Sequence, residues 1–169
     1  MALIIKYVPF VLLCVITIIF CGYQIKCHAN FKGWIIFTSL AIYLMCVWWL
    51  IFTPGTYFGS PESYHSHYIY FNTAKIIYLP AGILTKGAFF NVIMTVPAGV
   101  YLALIFPKHL AWYHILLIAF LIGGFNEVTQ FILDILIHIN RTVDVTDVLT
   151  NLVGVLVGYG MIVMVRKDN

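Results

Sequence analysis

The sequence predicts an all-α membrane protein, a polytopic bundle of about five transmembrane helices with an interfacial or re-entrant segment between the second and third. The chain of 169 residues is 63% hydrophobic and only 9% charged, and its mean hydropathy is +1.01. A water-soluble domain carries about a quarter charged residues. The apolar residues also form runs of about 20, the length that a helix needs to cross a hydrocarbon core of about 30 Å.

The apolar runs define five predicted helices in one membrane domain, residues 1–169. In chain order, the runs are Lys6 to Gln24, Gly33 to Phe52, Gly87 to Phe106, Ala111 to Leu133, and Asp144 to just before Arg166. Flanking lysines, arginines and prolines mark most of their ends, as is typical of membrane spans.

Basic residues in the loops predict the orientation, because cytoplasmic loops carry an excess of Lys and Arg. With the N-terminus outside, the inner loops hold Lys26, Lys32, Lys108, Arg166 and Lys167. The outer loops then hold Lys6, Lys75, Lys86 and Arg141. The inner charges lie closest to the helix ends, so we expect the N-terminus outside and the connection between the fourth and fifth helices facing outward.

The long connection over residues 53–86 is rich in aromatic residues, among them Tyr68, Tyr70 and Tyr78. Tyrosine suits the headgroup layer, where its ring is in apolar surroundings and its hydroxyl is hydrated. Tyr68 to Leu79 is therefore predicted to lie in the interface or to re-enter the membrane, as a cover or as a lid beside the acidic residues described next. His65 and His67 could bind a metal, but exposed loop histidines rarely do, so we predict no metal and no cofactor.

Four of the six acidic residues lie close together near the fourth and fifth helices. A carboxylate at membrane depth costs roughly 2.5–3.5 kcal/mol on insertion scales. Residues three, four and seven apart share one face of a helix, which predicts one polar stripe on each helix. The stripes are Glu127, Gln130 and Asp134 on the fourth helix, and Asp144, Asp147 and Asn151 on the fifth.

The short connection between these helices predicts that they are antiparallel neighbours whose polar stripes face each other. Gly154 and Gly158 continue the stripe of the fifth helix, and such a pair lets two backbones approach closely. Purely structural roles remain open for several members. Asp144 and Asp147 suit a helix N-cap and its first turn, Asp134 could lie in headgroup water, and Glu127 could form a buried ion pair with Arg141.

The third helix contributes Asn91, which precedes Pro97 by one and a half turns. A proline inside a span frees a backbone carbonyl that the protein or water must satisfy. Asn91 is therefore a candidate partner either for that carbonyl or for the acidic residues.

These motifs together resemble the motif series of VanZ-like membrane proteins. The series runs from Asn91 to Pro97-Ala98-Gly99, then Glu127-x-x-Gln130, then Arg141-x-x-Asp144-x-x-Asp147-x-x-x-Asn151-x-x-Gly154. The resemblance covers about Trp34 to Arg166, which implies a core at 33–166 and an additional N-terminal helix within 1–32. Asn126 departs from the pattern, because an aliphatic or small residue is more usual there.

The resemblance implies a multi-pass protein of the bacterial cytoplasmic membrane, in a family associated with low-level resistance to teicoplanin and related lipoglycopeptides. It carries no settled catalytic mechanism with it, so whether the protein is an enzyme is left open. We use the name polar cluster for the candidate ligand-binding residues: Asn91, Glu127, Gln130, Arg141, Asp144, Asp147 and Asn151.

The favoured hypothesis is that the polar cluster forms an outward-facing pocket for a membrane lipid, a lipoglycopeptide or a lipid-linked cell-wall precursor, with Arg141 on a phosphate or carboxylate. The first alternative is a membrane enzyme acting on a lipid-linked phosphate or glycan through carboxylates and Arg141. The second is a proton-coupled transporter that uses Glu127. The net charge of +3 is spread along the chain, so nucleic acid is not an expected partner.

Overall fold

The computed structural model describes residues 2–28, 30–54, 67–79, 86–106 and 110–167. The helices within these ranges are α1 (Ala2–Ile5), α2 (Val8–Cys27), α3 (Phe31–Phe52), α4 (Lys86–Ile105), α5 (Trp112–Ile137) and α6 (Val145–Lys167). Five helical segments are long and apolar enough to cross a membrane. The predicted helical membrane class and number of spans are confirmed, and α5 continues one turn beyond the predicted end at Leu133.

The chain divides into two compact units, Met1–Pro54 and Gly55–Asn169. In the first unit α2 packs against α3. Thr17 and Trp48 link the two helices, because the Trp48 Nε1 group donates to Thr17 Oγ1 at 2.9 Å. The Thr17 hydroxyl in turn donates to the Leu13 carbonyl at 2.8 Å. Both side chains are thus hydrogen-bonded within this helix pair.

The connection between α3 and α4 contains a β-hairpin that the sequence analysis did not predict. Strand β1 (His67–Phe71) pairs antiparallel with β2 (Ala74–Leu79), and Asn72 in the turn has a φ of 58°. The alternating aromatic and β-branched residues that suggested an interfacial segment also favour strands. Residues 55–66 and 80–85, and with them the metal candidate His65, lie outside the described residues.

A third strand comes from the connection between α5 and α6. Strand β3 (Thr142–Asp144) pairs parallel with β2, so the sheet order is β1-β2-β3. This pairing joins segments far apart in sequence, and it fastens the hairpin to the start of α6.

Small residues bring α6 closest to α4, and not to α5 as the sequence analysis proposed. A Cβ on Gly154 would collide with Thr95 Oγ1, and one on Gly158 would collide with the Val96 carbonyl oxygen. Gly99 of α4 lies equally close to the α6 backbone. The glycines therefore serve the α4–α6 interface, the most extensive helix contact of this unit.

Helix α5 packs along another side of α6, as its predicted antiparallel partner. A Cβ on Gly123 would lie 2.9 Å from the Val148 carbonyl oxygen, so this approach is close as well. At the other end of these helices, the Leu110 N–H donates to the Tyr159 hydroxyl at 3.1 Å. The hydroxyl fixes the start of α5 beside the second half of α6.

Candidate functional site

Glu127 and Asp144 connect α5 to the beginning of α6. Glu127 is only 6% exposed, and its Oε2 accepts a hydrogen bond from the Asp144 N–H at 2.9 Å. The Asp144 Oδ1 accepts from the Thr146 N–H at 2.8 Å, which is the geometry of a helix N-cap. The proposed capping role of Asp144 is confirmed, and the same residue also supplies a donor to Glu127.

Asp147 is held from α4. The Asn91 side chain lies near enough to the Asp147 carboxylate to interact with it, so of the two partners considered for Asn91 the structure brings it to the acidic residues. One turn further along α4, the Thr95 hydroxyl donates to the Asn151 carbonyl oxygen at 3.0 Å. These contacts tie the polar edge of α4 to that of α6.

Asn151 has a buried acceptor that no described donor reaches. The residue is 2% exposed, and its Oδ1 is without a hydrogen-bond partner among the described residues. Asn151 follows Asp147 by one helical turn on the same face. Side chains on a helix lean toward its N-terminus, and for Asn151 this is the direction in which Asp147 lies. A buried polar atom left in this state costs about 1–3 kcal/mol.

The carboxylates of Glu127, Asp144 and Asp147 act on one another electrostatically. Both Asp147 and Asp144 are close enough to influence Glu127, and Asp144 also influences Asp147. The hydrogen bond described for Glu127 comes from the Asp144 backbone. The inner part of the polar cluster therefore brings several acceptors together in a poorly hydrated place.

Asp134 orders the connection that carries Arg141. Its Oδ1 accepts from the backbone N–H groups of Asn140, at 2.8 Å, and Arg141, at 3.4 Å. At 3% exposure Asp134 is not in headgroup water, and that expectation is wrong because the carboxylate is turned onto the connection. Asn140 itself has a φ of 57°, a left-handed conformation that asparagine tolerates.

Arg141 is half-buried at the end of this connection. Burial lowers the pKa of its guanidinium, because the charged form loses hydration. Gln130 lies one turn after Glu127 on the same face of α5 and is also buried, at 9% exposure. The seven residues of the polar cluster are thus distributed over α4, α5, α6 and the connection between α5 and α6.

The hairpin lies beside the polar cluster. Ile77 of β2 is the register partner of Asp144 in β3. The Thr73 hydroxyl donates to the Asp134 carbonyl oxygen at 3.0 Å and lies 3.1 Å from the His138 Nδ1. The hairpin is therefore a neighbour of the acidic residues, and the choice between a cover and a lid stays a prediction.

Two buried polar residues next to the site were not included among the candidate site residues from the sequence. Thr95 links α4 to the Asn151 backbone, and Asn126, adjacent to Glu127, is 4% exposed. The sequence could have indicated both as site residues, since both are polar residues inside apolar spans. In the described part of the chain, no group of three or more His, Cys, Asp or Glu residues is arranged to hold a metal ion.

The family comparison agrees with the motif series. The model of the VanZ/LLP1 family matches residues 40–166, which include every member of the polar cluster. No curated protein and no solved structure matches the chain. With most of its length covered by this family model and five helices suited to a membrane, the chain belongs to the VanZ/LLP1 family of multi-pass membrane proteins.

Proposed function

We propose that this protein binds the polar head of a cell-envelope lipid or lipoglycopeptide in its polar cluster, in the bacterial cytoplasmic membrane. The bound head would lie outward, and the apolar helices would hold the acyl part. Binding would contribute to teicoplanin-type glycopeptide resistance, the role with which the family is associated.

The observation that carries the proposal is the buried Asn151 Oδ1 without a described donor, one turn from the Asp147 carboxylate. Buried polar groups in folded proteins are nearly always hydrogen-bonded. An open buried acceptor near the carboxylates is therefore better explained by a ligand than by packing alone. Thr17 and Trp48 are the contrasting case, because the Trp48 indole N–H donates to the Thr17 hydroxyl.

Arg141 supports the same proposal from the edge of the cluster. A half-buried guanidinium is less screened by water, so it attracts an anionic group more strongly than a fully hydrated one does. Its planar fork of donors matches a phosphate or carboxylate. We assign Arg141 to such a group on the ligand.

Antibiotic susceptibility tests this function directly. Cells expressing the wild type would be compared with cells expressing Arg141→Ala or Glu127→Gln at equal protein levels. We expect Arg141→Ala to cause the larger loss, about tenfold in the tolerated teicoplanin concentration if one charge-assisted contact is removed. Arg166→Ala, which removes an arginine from the far end of α6, is the matched control and should change nothing. Equal susceptibility of all strains would contradict a role in resistance.

The buried Glu127 and the half-buried Asp147 also favour a second candidate, a membrane enzyme that uses them as acid and base on a lipid-linked phosphate or glycan. Such an enzyme would be fully inactivated by Asp147→Asn or Glu127→Gln alone. A binding protein would instead show graded losses. Measuring both variants in the same susceptibility assay separates the two candidates.

A further inference from the structure

We infer that the inner part of the polar cluster, formed by Glu127, Asp144, Asp147 and Asn151, recognises a primary ammonium group on an amphiphilic ligand. This inference rests on the proposed binding function and specifies which chemical group enters deepest. The expected phosphate or carboxylate then remains for Arg141, nearer the connection between α5 and α6.

The charge of this region is the first argument. Three carboxylates lie within electrostatic range of one another. The hydrogen-bond donors described for Glu127 and Asp144 are neutral backbone groups, the N–H groups of Asp144 and Thr146. Like charges in a poorly hydrated site repel one another strongly. A cationic group placed among them would relieve that repulsion, whereas an anionic group would increase it.

Hydrogen-bonding capacity is the second argument, and it is independent of charge. A carboxylate has about four acceptor positions on its two oxygens, and the contacts found for Glu127 use one. Asn151 adds a buried carbonyl oxygen that receives no hydrogen bond from the described residues. Among the described contacts, the open positions are therefore acceptors.

A primary ammonium meets both requirements. It carries a positive charge, three N–H donors and no acceptor. One ammonium could thus donate to Asn151 Oδ1 and to the carboxylate of Asp147, one turn away on α6. A quaternary ammonium brings the charge without any donor, and an amide brings donors without the charge.

Lipid binding by the full-length protein in detergent micelles tests this assignment. The probes are short-chain phosphatidylethanolamine and phosphatidylcholine with identical acyl chains, which differ only in the methylation of the ammonium. We expect phosphatidylethanolamine to bind about tenfold more tightly, the value of one charge-assisted hydrogen bond. Equal affinities would overturn the inference.

Two substitutions at one position make the test specific. Asn151→Leu keeps the approximate size of the side chain but removes the acceptor, so we expect it to abolish the preference for phosphatidylethanolamine. Asn151→Asp retains an acceptor and adds no donor, and it should keep the preference. Unchanged preference in Asn151→Leu, in protein that elutes as the wild type does in size-exclusion chromatography, would overturn the inference. Thr17→Val in the other unit is the control and should bind as the wild type does.

A second pair of probes identifies the source of the ammonium. A lipoglycopeptide with a free primary amine and its N-acetylated derivative would be titrated in the same way. Loss of affinity on acetylation supports an antibiotic amine, and discrimination between the two phospholipids supports a membrane headgroup. Displacement of phosphatidylethanolamine by magnesium chloride but not by ethanolamine would assign the site to a metal ion and overturn the inference.

The outcomes separate this inference from the function on which it rests. If the protein binds both phospholipids equally and Glu127→Gln weakens both, the binding function stands and only the ammonium assignment fails. If no lipid and no lipoglycopeptide binds, both fail.

Discussion

The two units of this protein handle polar side chains in opposite ways. In Met1–Pro54, Thr17 and Trp48 form a closed pair, in which the indole N–H and the hydroxyl both have partners within two helices. In Gly55–Asn169, polar side chains of α4, α5 and α6 meet with an acceptor of Asn151 left open among the described contacts. A polar residue in an apolar helix thus indicates function only where its hydrogen bonds are incomplete.

The largest expected effect comes from the glycine interface that brings the polar helices together. Gly158→Leu places a side chain against the Val96 backbone of α4, and such overpacking costs roughly 3 kcal/mol. Thermal unfolding in detergent, followed by near-ultraviolet circular dichroism, measures the loss. Gly160→Leu is the matched control on the same helix, because nothing lies within 4 Å of a Cβ there. Equal destabilisation by both substitutions would show that α6 does not approach α4 in this way.

An intermediate effect is expected at the cap of α6. Asp144→Ala removes the acceptor for the Thr146 N–H, and loss of an N-cap side chain costs about 1–2 kcal/mol. Asp144→Asn keeps that acceptor, so it should retain most of the stability while removing one negative charge from the ligand site. Unfolding temperatures of the two variants measure the capping role of Asp144, and antibiotic susceptibility measures the role of its charge at the ligand site. If Asp144→Asn is as unstable as Asp144→Ala, the cap is not what Asp144 contributes.

The smallest effect is expected in the closed pair of the first unit. Trp48→Phe deletes the donor to Thr17, and one such hydrogen bond contributes about 1 kcal/mol. A double-mutant cycle with Thr17→Val should recover a coupling of this size from unfolding measurements. Antibiotic susceptibility should stay at the wild-type value throughout the cycle. A change in susceptibility at unchanged protein level would show that polar groups with complete hydrogen bonds also serve the function, which would contradict the comparison.

The apolar runs predicted all five long helices, because a hydrocarbon core imposes a minimum length that is visible in composition alone. The polar stripes were also predictable, since helical periodicity places Glu127 and Gln130, or Asp147 and Asn151, on one face. The family match at residues 40–166 agrees with the motif order read from the same residues.

The contacts between elements were less predictable. Periodicity placed Gly154 and Gly158 on one face of α6 but did not identify α4 as the helix that they meet. The sheet was missed because β3 has only three residues and its partner β2 lies far away in sequence. Asp134 was misjudged because a carboxylate near a helix end can either face water or fold back onto the chain, and only the backbone path decides between them.

Asp144 belongs at once to the sheet, to the cap of α6 and to the hydrogen bond of Glu127. A slip of one residue between β2 and β3 would turn its side chain to the opposite sheet face. The cap and the Glu127 donor would then be lost in the same step. The alignment of a three-residue strand therefore governs the hydrogen bonding of an acid buried on a long apolar helix, and a force applied to the hairpin would reach Glu127 through a single peptide unit.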